Sequence, residues 1–372
     1  MNKISRAKAE LPVSERLLIT PMFVFFIIHS MQVGVGILGF EGYIAKYAGF
    51  NSWISILIAG AFLHLMLWMI YQILQDSEGD IVSVHRIVFG KYIGAVFSLL
   101  FSVYYLFLAL TVLRTFIEVI QVWVFPSIQI EIFALAFILL VYYMVIGGFR
   151  LVTGLCLIST ILTLPLLLLK FFPIEVGVTD YLYPVIDASI LDLLKSAKAS
   201  ILGFLGIELL FIFYPFIKKP DESKKWAHFA VFYTVLIYLV TALVSFLYYS
   251  EEQLKHVTWG TISLWKIVHF PFIERFEYIG IALWVYVIVP NICLALWGAS
   301  RIPKRMFVSS QKAFIWLFCF LLYIFTVIID SRQGVEKLND MANLIGFYVL
   351  LYIPLLFILM KTVGKWRKKN HA

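Results

Sequence analysis

The stretch QVGVGILGFEG, residues 32–42, ends the first apolar run of the chain and decides how the rest is interpreted. Residues 17–40 contain no Asp, Glu, Lys or Arg, and they are long enough to cross about 30 Å of hydrocarbon at about 1.5 Å per residue. Gly34, Gly36 and Gly39 nevertheless follow one another near its end. Glycine weakens a helix, and lipid offers no water to a loosened backbone. The stretch therefore indicates either a helix break that lines a cavity or close packing against another helix.

A second apolar run has the same feature. In SILGFLGIELLFIFYPF, residues 200–216, Gly203 and Gly206 come just before Glu208. The two glycine-rich stretches are five spans apart, at comparable depth toward the outer side, in halves of opposite orientation. One such stretch alone favours small-residue helix packing. The matched pair is typical of inverted-repeat transporters with discontinuous helices, whose breaks hold a polar ligand.

The composition is that of an integral membrane protein. The 372 residues are 62% hydrophobic and 14% charged, whereas soluble domains are about 25% charged. We predict one all-α transmembrane domain, with a first repeat at about 17–172 and a second at about 192–360. The ten predicted spans are 17–40, 53–73, 92–122, 132–148, 151–172, 198–217, 227–249, 278–299, 313–329 and 338–360.

Loop charges predict the orientation. Lys and Arg number 20 in the tails and loops on the side of the N-terminus and 9 on the opposite side, which places both termini in the cytoplasm. The first apolar run is too long for a signal peptide and is expected to be retained. Residues 361–372 form a basic cytoplasmic tail.

Two segments between spans are not expected to cross the membrane. Residues 80–90, DIVSVHRIVFG, predict a short amphipathic surface helix with Asp80 as its N-cap and Gly90 as its stop. Residues 251–277 are too apolar for a solvated loop and too broken to span. We expect this lid segment to fold back over the outer vestibule.

No familiar catalytic motif is present, so we predict no enzyme, no cofactor and no metal site. A membrane acyltransferase is disfavoured because no intramembrane His–Asp pair occurs. His29 and His64 are expected to form hydrogen bonds between helices. Cys156, Cys293 and Cys319 lie in apolar spans and are expected to be packing residues.

Three charged side chains fall well inside spans, away from the span ends, where they must face the protein interior. Arg114 and Glu118 are four residues apart on one helical face and can form a structural ion pair. Arg114 can alternatively reach Glu208, the well-placed carboxylate of another span. Glu208 follows the second break by two residues, where a carboxylate caps a half-helix through its free N–H groups. Two alternative roles for Glu208 are a proton-binding site and a residue that contacts the ligand.

The breaks and the polar or small residues at similar depth predict a ligand site. Pro290 frees a backbone carbonyl in the eighth span, next to an amide side chain. The predicted ligand-binding residues are Gly34, Gly36 and Ile37 of the first span, Tyr104 of the third, Gly203, Leu205 and Gly206 of the sixth, and Asn291 and Ala295 of the eighth.

Over nearly its whole length the sequence resembles the spore germination permease family, relatives of the amino acid–polyamine–organocation (APC) transporters. The segments that carry the resemblance are GVGILGF, YIAKYAGFNSWISILIAG, VLRTFIEVIQ, FLGIELLFIFYPFIKKP and WGTISLWKIVHFPFIERFE. The resemblance implies a LeuT/APC-like 5+5 inverted repeat with discontinuous helices 1 and 6.

The resemblance further implies the B subunit of a nutrient germinant receptor in the spore inner membrane. Such a subunit works with a membrane A subunit and a lipoprotein C subunit, and binds an amino acid, a nucleoside or a sugar. The alternative is an H⁺-coupled amino-acid or solute transporter of the APC superfamily. The eighth span contains no neighbouring Ser/Thr pair that could supply hydroxyl oxygens to Na⁺, which disfavours sodium coupling.

This chain departs from its relatives at two places near the outer face. Many relatives have Pro soon after the first break, where this chain has Glu41. Many have Trp-Pro-Thr where this chain has Trp259, Gly260 and Thr261. Both changes bear on the geometry of the lid segment and on ligand access.

Overall fold

The apolar runs form helices throughout the residues that the computed structural model describes, 13–307 and 309–364. The α-helices are α1 (Phe23–Gln32), α2 (Phe40–Ala48), α3 (Ser52–Ser77), α4 (Ile81–Phe89), α5 (Lys91–Trp123), α6 (Ile130–Ile146), α7 (Phe149–Leu168), α8 (Phe171–Glu175), α9 (Ile190–Ala199), α10 (Leu210–Phe213), α11 (Pro220–Tyr248), α12 (Glu251–His256), α13 (Gly260–Trp265), α14 (Phe276–Phe307), α15 (Gln311–Ile328) and α16 (Arg332–Leu359).

Short 3₁₀ helices join or extend these elements. Strand-like backbone pairing occurs only at two isolated β-bridges in the described ranges. The 3₁₀ helices are Glu15–Leu17, Gly36–Leu38, Gly49–Asn51, Thr179–Leu182, Ile201–Phe204, Ile207–Leu209 and Tyr214–Phe216, and a π-helical turn covers Met360–Gly364. The bridges pair Ile19 with Ile217 and Phe270 with Ile273.

All ten predicted spans correspond to helices. Seven helical segments of the described chain are long and apolar enough to cross a membrane. Three shorter apolar helices, Phe23–Gln32, Ile130–Ile146 and Ile207–Phe216, coincide with the first, fourth and sixth predicted spans. The chain is therefore a multi-pass membrane protein.

The first and sixth spans are discontinuous, as predicted. α1 ends when Val33 turns to an extended conformation (φ −91°, ψ 104°), and the path resumes as a 3₁₀ turn and α2. The sixth span breaks at Leu205, which is extended, and at Gly206 with φ 140°. Because only glycine adopts such a positive φ readily, the break requires Gly206.

Helix α14 runs through the middle of the bundle, where it packs against α5, α7, α1 and α15. α1 also packs against α11. His29 bonds Thr234 across that contact (2.9 Å), and His64 bonds His228 between α3 and α11 (2.8 Å), so both histidines join helices as expected. The three cysteines are buried and unpaired, also as expected.

The backbones of the two broken spans are hydrogen-bonded to each other at the ends predicted to be cytoplasmic. The Ile19 N–H donates to the Phe216 carbonyl (2.8 Å), and the Lys218 N–H donates to the Ile19 carbonyl (2.9 Å). The predicted surface helix is α4, and the Asp80 carboxylate caps it by accepting from the Ser83 N–H (3.0 Å). Residues 365–372 of the predicted basic tail lie outside the described residues, as do the first twelve residues.

Candidate functional site

A cavity of about 120 Å³ lies where the two broken spans meet. The breaks are in close contact, since a Cβ added to Gly36 would lie 3.8 Å from the Gly203 Cα. The cavity extends toward the side predicted to be outer, where residues of the lid segment and of α16 form its mouth. Its wall is made by Met31, Gln32, Gly34, Val35, Gly36, Gly39, Phe40, Tyr43, Leu108, Thr111, Val112, Thr115, Glu118, Ala199, Ser200, Leu202, Gly203, Leu205, Tyr238, Thr258, Trp259, Asn291, Glu336, Asn339, Asp340 and Asn343.

Side chains of α14 satisfy the carbonyl groups that the first break leaves without helical partners. The Asn291 amide nitrogen donates to the carbonyls of Ser30 (3.0 Å) and Met31 (2.9 Å). The Trp284 indole N–H donates to the carbonyl of Gly34 (3.2 Å). The loosened backbone is thus compatible with membrane depth because neighbouring helices supply its hydrogen bonds.

The same arrangement leaves two acceptors at the cavity. The Gln32 amide nitrogen donates to the Phe204 carbonyl of the second break (3.1 Å). With both nitrogens engaged, the amide oxygens of Gln32 and Asn291 have no protein hydrogen-bond partner among the described residues. Both side chains are only 2% exposed. Because an unpaired buried acceptor costs about 1–3 kcal/mol, these oxygens favour a ligand that donates hydrogen bonds.

The charged side chains that line the cavity are all acidic. They are Glu118 of α5 and Glu336 and Asp340 of α16, and no Lys, Arg or His of the described chain lines this cavity. Arg332 forms a salt bridge with Glu336 (3.1 Å), and the carboxylates of Glu118 and Asp340 remain as like charges that an anionic ligand would meet. The site is suited to a neutral or amine-bearing ligand.

Five of the nine predicted ligand residues line this cavity: Gly34, Gly36, Gly203, Leu205 and Asn291. The other four do not. Ile37 lines a smaller cavity of about 40 Å³ behind the first break, together with Lys170.

Tyr104, Gly206 and Ala295 are buried away from the cavity wall. Tyr104 bonds Glu208, as described below, and Ala295 lies fully buried in α14. Gly206 packs against Met31, and a Cβ there would lie 2.7 Å from the Met31 Cγ. These three residues were predicted from their positions along the spans. All three face the packed interior instead of the cavity.

Sequence reasoning missed several polar side chains of the wall. Gln32 lies directly before the first break, in a run with no charged residue. This position could have indicated that Gln32 belongs to the cavity wall. Asn339 and Asn343 are four apart on one face of α16, and Asn343 accepts from the Leu202 N–H (3.1 Å). Thr115 donates to Asn339 (3.2 Å). Nothing in the sequence indicated that α16 would face the breaks.

Arg114 does not reach Glu208, contrary to the second interpretation of the sequence. Its guanidinium donates to the backbone carbonyls of Ile329 and Asp330, the latter at 3.0 Å, and to the Gln121 side chain (3.4 Å). These carbonyls lie at the C-terminal end of α15, where a cation is favoured. Its hydrogen bonds therefore hold α5 to the α15–α16 turn, while Glu118, one turn further along α5, lines the cavity.

Glu208 is fully buried and caps the second break. One carboxylate oxygen accepts from the Gly206 N–H (2.8 Å), and the other accepts from the Tyr104 hydroxyl (2.7 Å). The carboxylate thus joins α5 to the inner half of the sixth span. This geometry is that of a structural cap, and its oxygens are engaged by protein donors.

We expect Glu208→Gln to be milder than Glu208→Ala. A glutamine can still accept from the Gly206 N–H while its amide donates to the Tyr104 hydroxyl. Alanine leaves both groups unpaired, at about 1–3 kcal/mol each. Each variant should lower the protein level, or should lower the response to all nutrients by one common factor, and the loss should be larger for Glu208→Ala. Dose–response curves with immunoblots test this, and Glu252→Ala on the exposed surface of α12 is the control. A shift confined to amine-bearing nutrients at normal protein level would make Glu208 a ligand residue.

Comparison with known sequences places the chain among bacterial germination proteins. The sequence model described as "Spore germination protein" matches residues 18–335. Spore germination protein GerQB of Bacillus cereus is 38% identical over 94% of this chain and 98% of its own length. Spore germination protein B2 of Bacillus subtilis is 23% identical over 91% and 93%.

Solved transporters share the fold. An outward-open Na⁺-coupled sialic acid symporter superposes with a TM-score of 0.65 at 15% identity, over 91% of this chain and 79% of that one. Mhp1, a nucleobase-cation-symport-1 family transporter, gives 0.59 at 10% identity, over 89% and 76%. MhsT in complex with L-phenylalanine gives 0.56 at 14% identity, over 91% and 87%. The fold is therefore the LeuT-like fold that the resemblance to the permease family implied.

Proposed function

The chain belongs to the spore germination permease family, and from this premise we propose that it is the nutrient-binding B subunit of a spore germinant receptor. It binds a small nutrient in the cavity between the two breaks, and binding triggers germination through partner subunits. One observation carries the proposal: Gln32 and Asn291 both line that cavity, and each has a buried amide oxygen without a protein partner among the described residues.

The cavity chemistry limits the class of nutrient. The Gln32 and Asn291 oxygens require donors, and the acidic mouth disfavours anions. An amino acid, a nucleoside or a sugar each supplies N–H or O–H donors. A single methylene changes preference by only about 1–3 kcal/mol, so binding of a panel of such nutrients is the route to its identity.

The receptor assembly includes a membrane A subunit and a lipoprotein C subunit. The protein sits in the spore inner membrane, with both termini in the cytoplasm. The relatives are themselves germination proteins, which supports this context. We expect deletion of either partner gene to silence the nutrient response and to lower the level of this subunit. Immunoblots and germination assays on the deletion strains test this, and germination driven by this chain alone would refute the receptor assignment.

A second candidate is an H⁺-coupled solute transporter, which the likeness to solved symporters favours. An uptake assay in proteoliposomes distinguishes the two functions. A receptor subunit binds the nutrient at equilibrium without concentrating it inside under an imposed proton gradient. Accumulation that collapses with an uncoupler would establish the transporter instead.

A further inference from the structure

Glu41 is a carboxylate buried completely in the outer half of the first span. It lies in the first turn of α2. One of its oxygens accepts from the Thr261 hydroxyl of α13 (2.6 Å) and from the Ser245 hydroxyl of α11 (3.0 Å). A single oxygen thus joins the broken span, the lid segment and the seventh span.

The other Glu41 oxygen has no protein hydrogen-bond partner in the described ranges. It faces Gly260, where an added Cβ would lie 3.1 Å from that oxygen. The glycine therefore lets the carboxylate sit directly against the lid backbone. Glu41 and Gly260 are thus in contact with each other.

Lys170 lines the small cavity of about 40 Å³ together with Thr261, the residue that donates to Glu41. It is only 7% exposed, at the outer end of the fifth span, and its ammonium group has no hydrogen-bond partner in the part of the chain described. An acidic and a basic side chain are therefore buried near each other without a direct hydrogen bond. Removing either one leaves the other uncompensated in a low-dielectric interior.

The lid residues that hold Glu41 continue directly into the cavity wall. Thr258 and Trp259 line the cavity, and Gly260 and Thr261 follow them in sequence. A Cβ on Gly39 would clash with the Thr258 carbonyl oxygen, so the lid backbone lies directly against the first break. A displacement of this part of the lid would change the Glu41 bonds and the cavity mouth together.

We propose that Glu41 is the latch that holds the lid segment over the cavity and thereby controls access to it, with Lys170 as the counter-charge. This regulation rests on the proposed function of the cavity. Its operation does not depend on which nutrient binds, so it can be tested without one.

The test measures how fast a cavity cysteine reacts with a bulky hydrophilic maleimide. Thr111→Cys on the cavity wall is introduced into the full chain, purified in lipid nanodiscs. The parent without this substitution gives the background of the three buried cysteines. We expect Glu41→Ala to raise the labelling rate at least about tenfold, because two hydrogen bonds to a charged group are lost. Glu252→Gln, on the exposed surface of the adjacent α12, is the matched control and should not change the rate.

Further variants separate a latch from a general loss of folding. Thr261→Val keeps the shape of the side chain but removes one donor to Glu41, and should raise the rate by a smaller factor. Lys170→Met should also raise it, whereas Glu41→Gln combined with Lys170→Met should lie nearer the parent than Lys170→Met alone. Monodisperse Thr261→Val and Lys170→Met proteins that label at the parental rate would overturn the proposal. The expected increases in labelling rate, together with absent nutrient binding by the parent, would instead count against the proposed function alone.

Discussion

Gly206→Ala is expected to destabilise the fold so strongly that the level of the protein in the membrane falls to a small part of the parental level. Gly206 has φ 140°, a conformation that costs a residue with a Cβ about 1–3 kcal/mol. The new Cβ would also lie 2.7 and 2.8 Å from side-chain atoms of Met31 and 3.1 Å from its backbone carbonyl carbon. Overpacking of this kind costs about 1–3 kcal/mol more. The sum is a large part of the roughly 5–15 kcal/mol by which folded domains are stable.

The measurement is protein level by immunoblot, with the thermal midpoint of the purified protein. Gly154→Ala is the matched control, because nothing lies within 4 Å of a Cβ at Gly154 in α7. That variant should behave like the parent. Equal level and equal midpoint for Gly206→Ala and Gly154→Ala would show that the sixth span does not require this break.

Gly36→Leu is expected to abolish the nutrient response while the protein stays in the membrane. A Cβ at Gly36 meets only the Gly203 Cα, at 3.8 Å, so the added side chain extends into a cavity of about 120 Å³. Overpacking of the cavity weakens nutrient binding by about 1–3 kcal/mol and raises the half-maximal nutrient concentration about tenfold to hundredfold. The response is then lost at the concentrations that trigger the parent. Gly36→Ala, which fits the space, should have an intermediate effect.

Spore germination dose–response curves, corrected for protein level, measure this effect. Gly154→Leu introduces the same side chain away from the cavity and should leave the response unchanged. A Gly36→Leu strain that germinates at the parental nutrient concentration would exclude this position from the site.

The fold followed from local sequence patterns because each span carries its own signal. Charge-free runs of sufficient length predicted ten spans, and the glycines before Glu208 predicted both the sixth break and its cap. Membrane depth forbids a loosened backbone outside a cavity, so the two breaks also predicted where a cavity would lie. Five of the residues predicted from sequence line that cavity: Gly34, Gly36, Gly203, Leu205 and Asn291.

The rest of the site depends on contacts between distant parts of the chain. Arg114 bonds carbonyls more than two hundred residues away, and no spacing on α5 indicates that α15 ends there. Asn339 and Asn343 join the wall only because α16 packs beside the breaks. Tyr104 lies at the expected depth but faces Glu208, because depth in the membrane does not fix the rotation of a helix.

The central claim is that the nutrient occupies the cavity between the breaks. A cryo-electron microscopy structure of the purified receptor complex at saturating nutrient, identified by the binding panel, tests it most directly. We predict density between Gly36 and Gly203, with donor atoms of the nutrient within hydrogen-bond distance of the Gln32 and Asn291 amide oxygens. Density for the nutrient in another subunit, with this cavity unoccupied at the same concentration, would contradict the account.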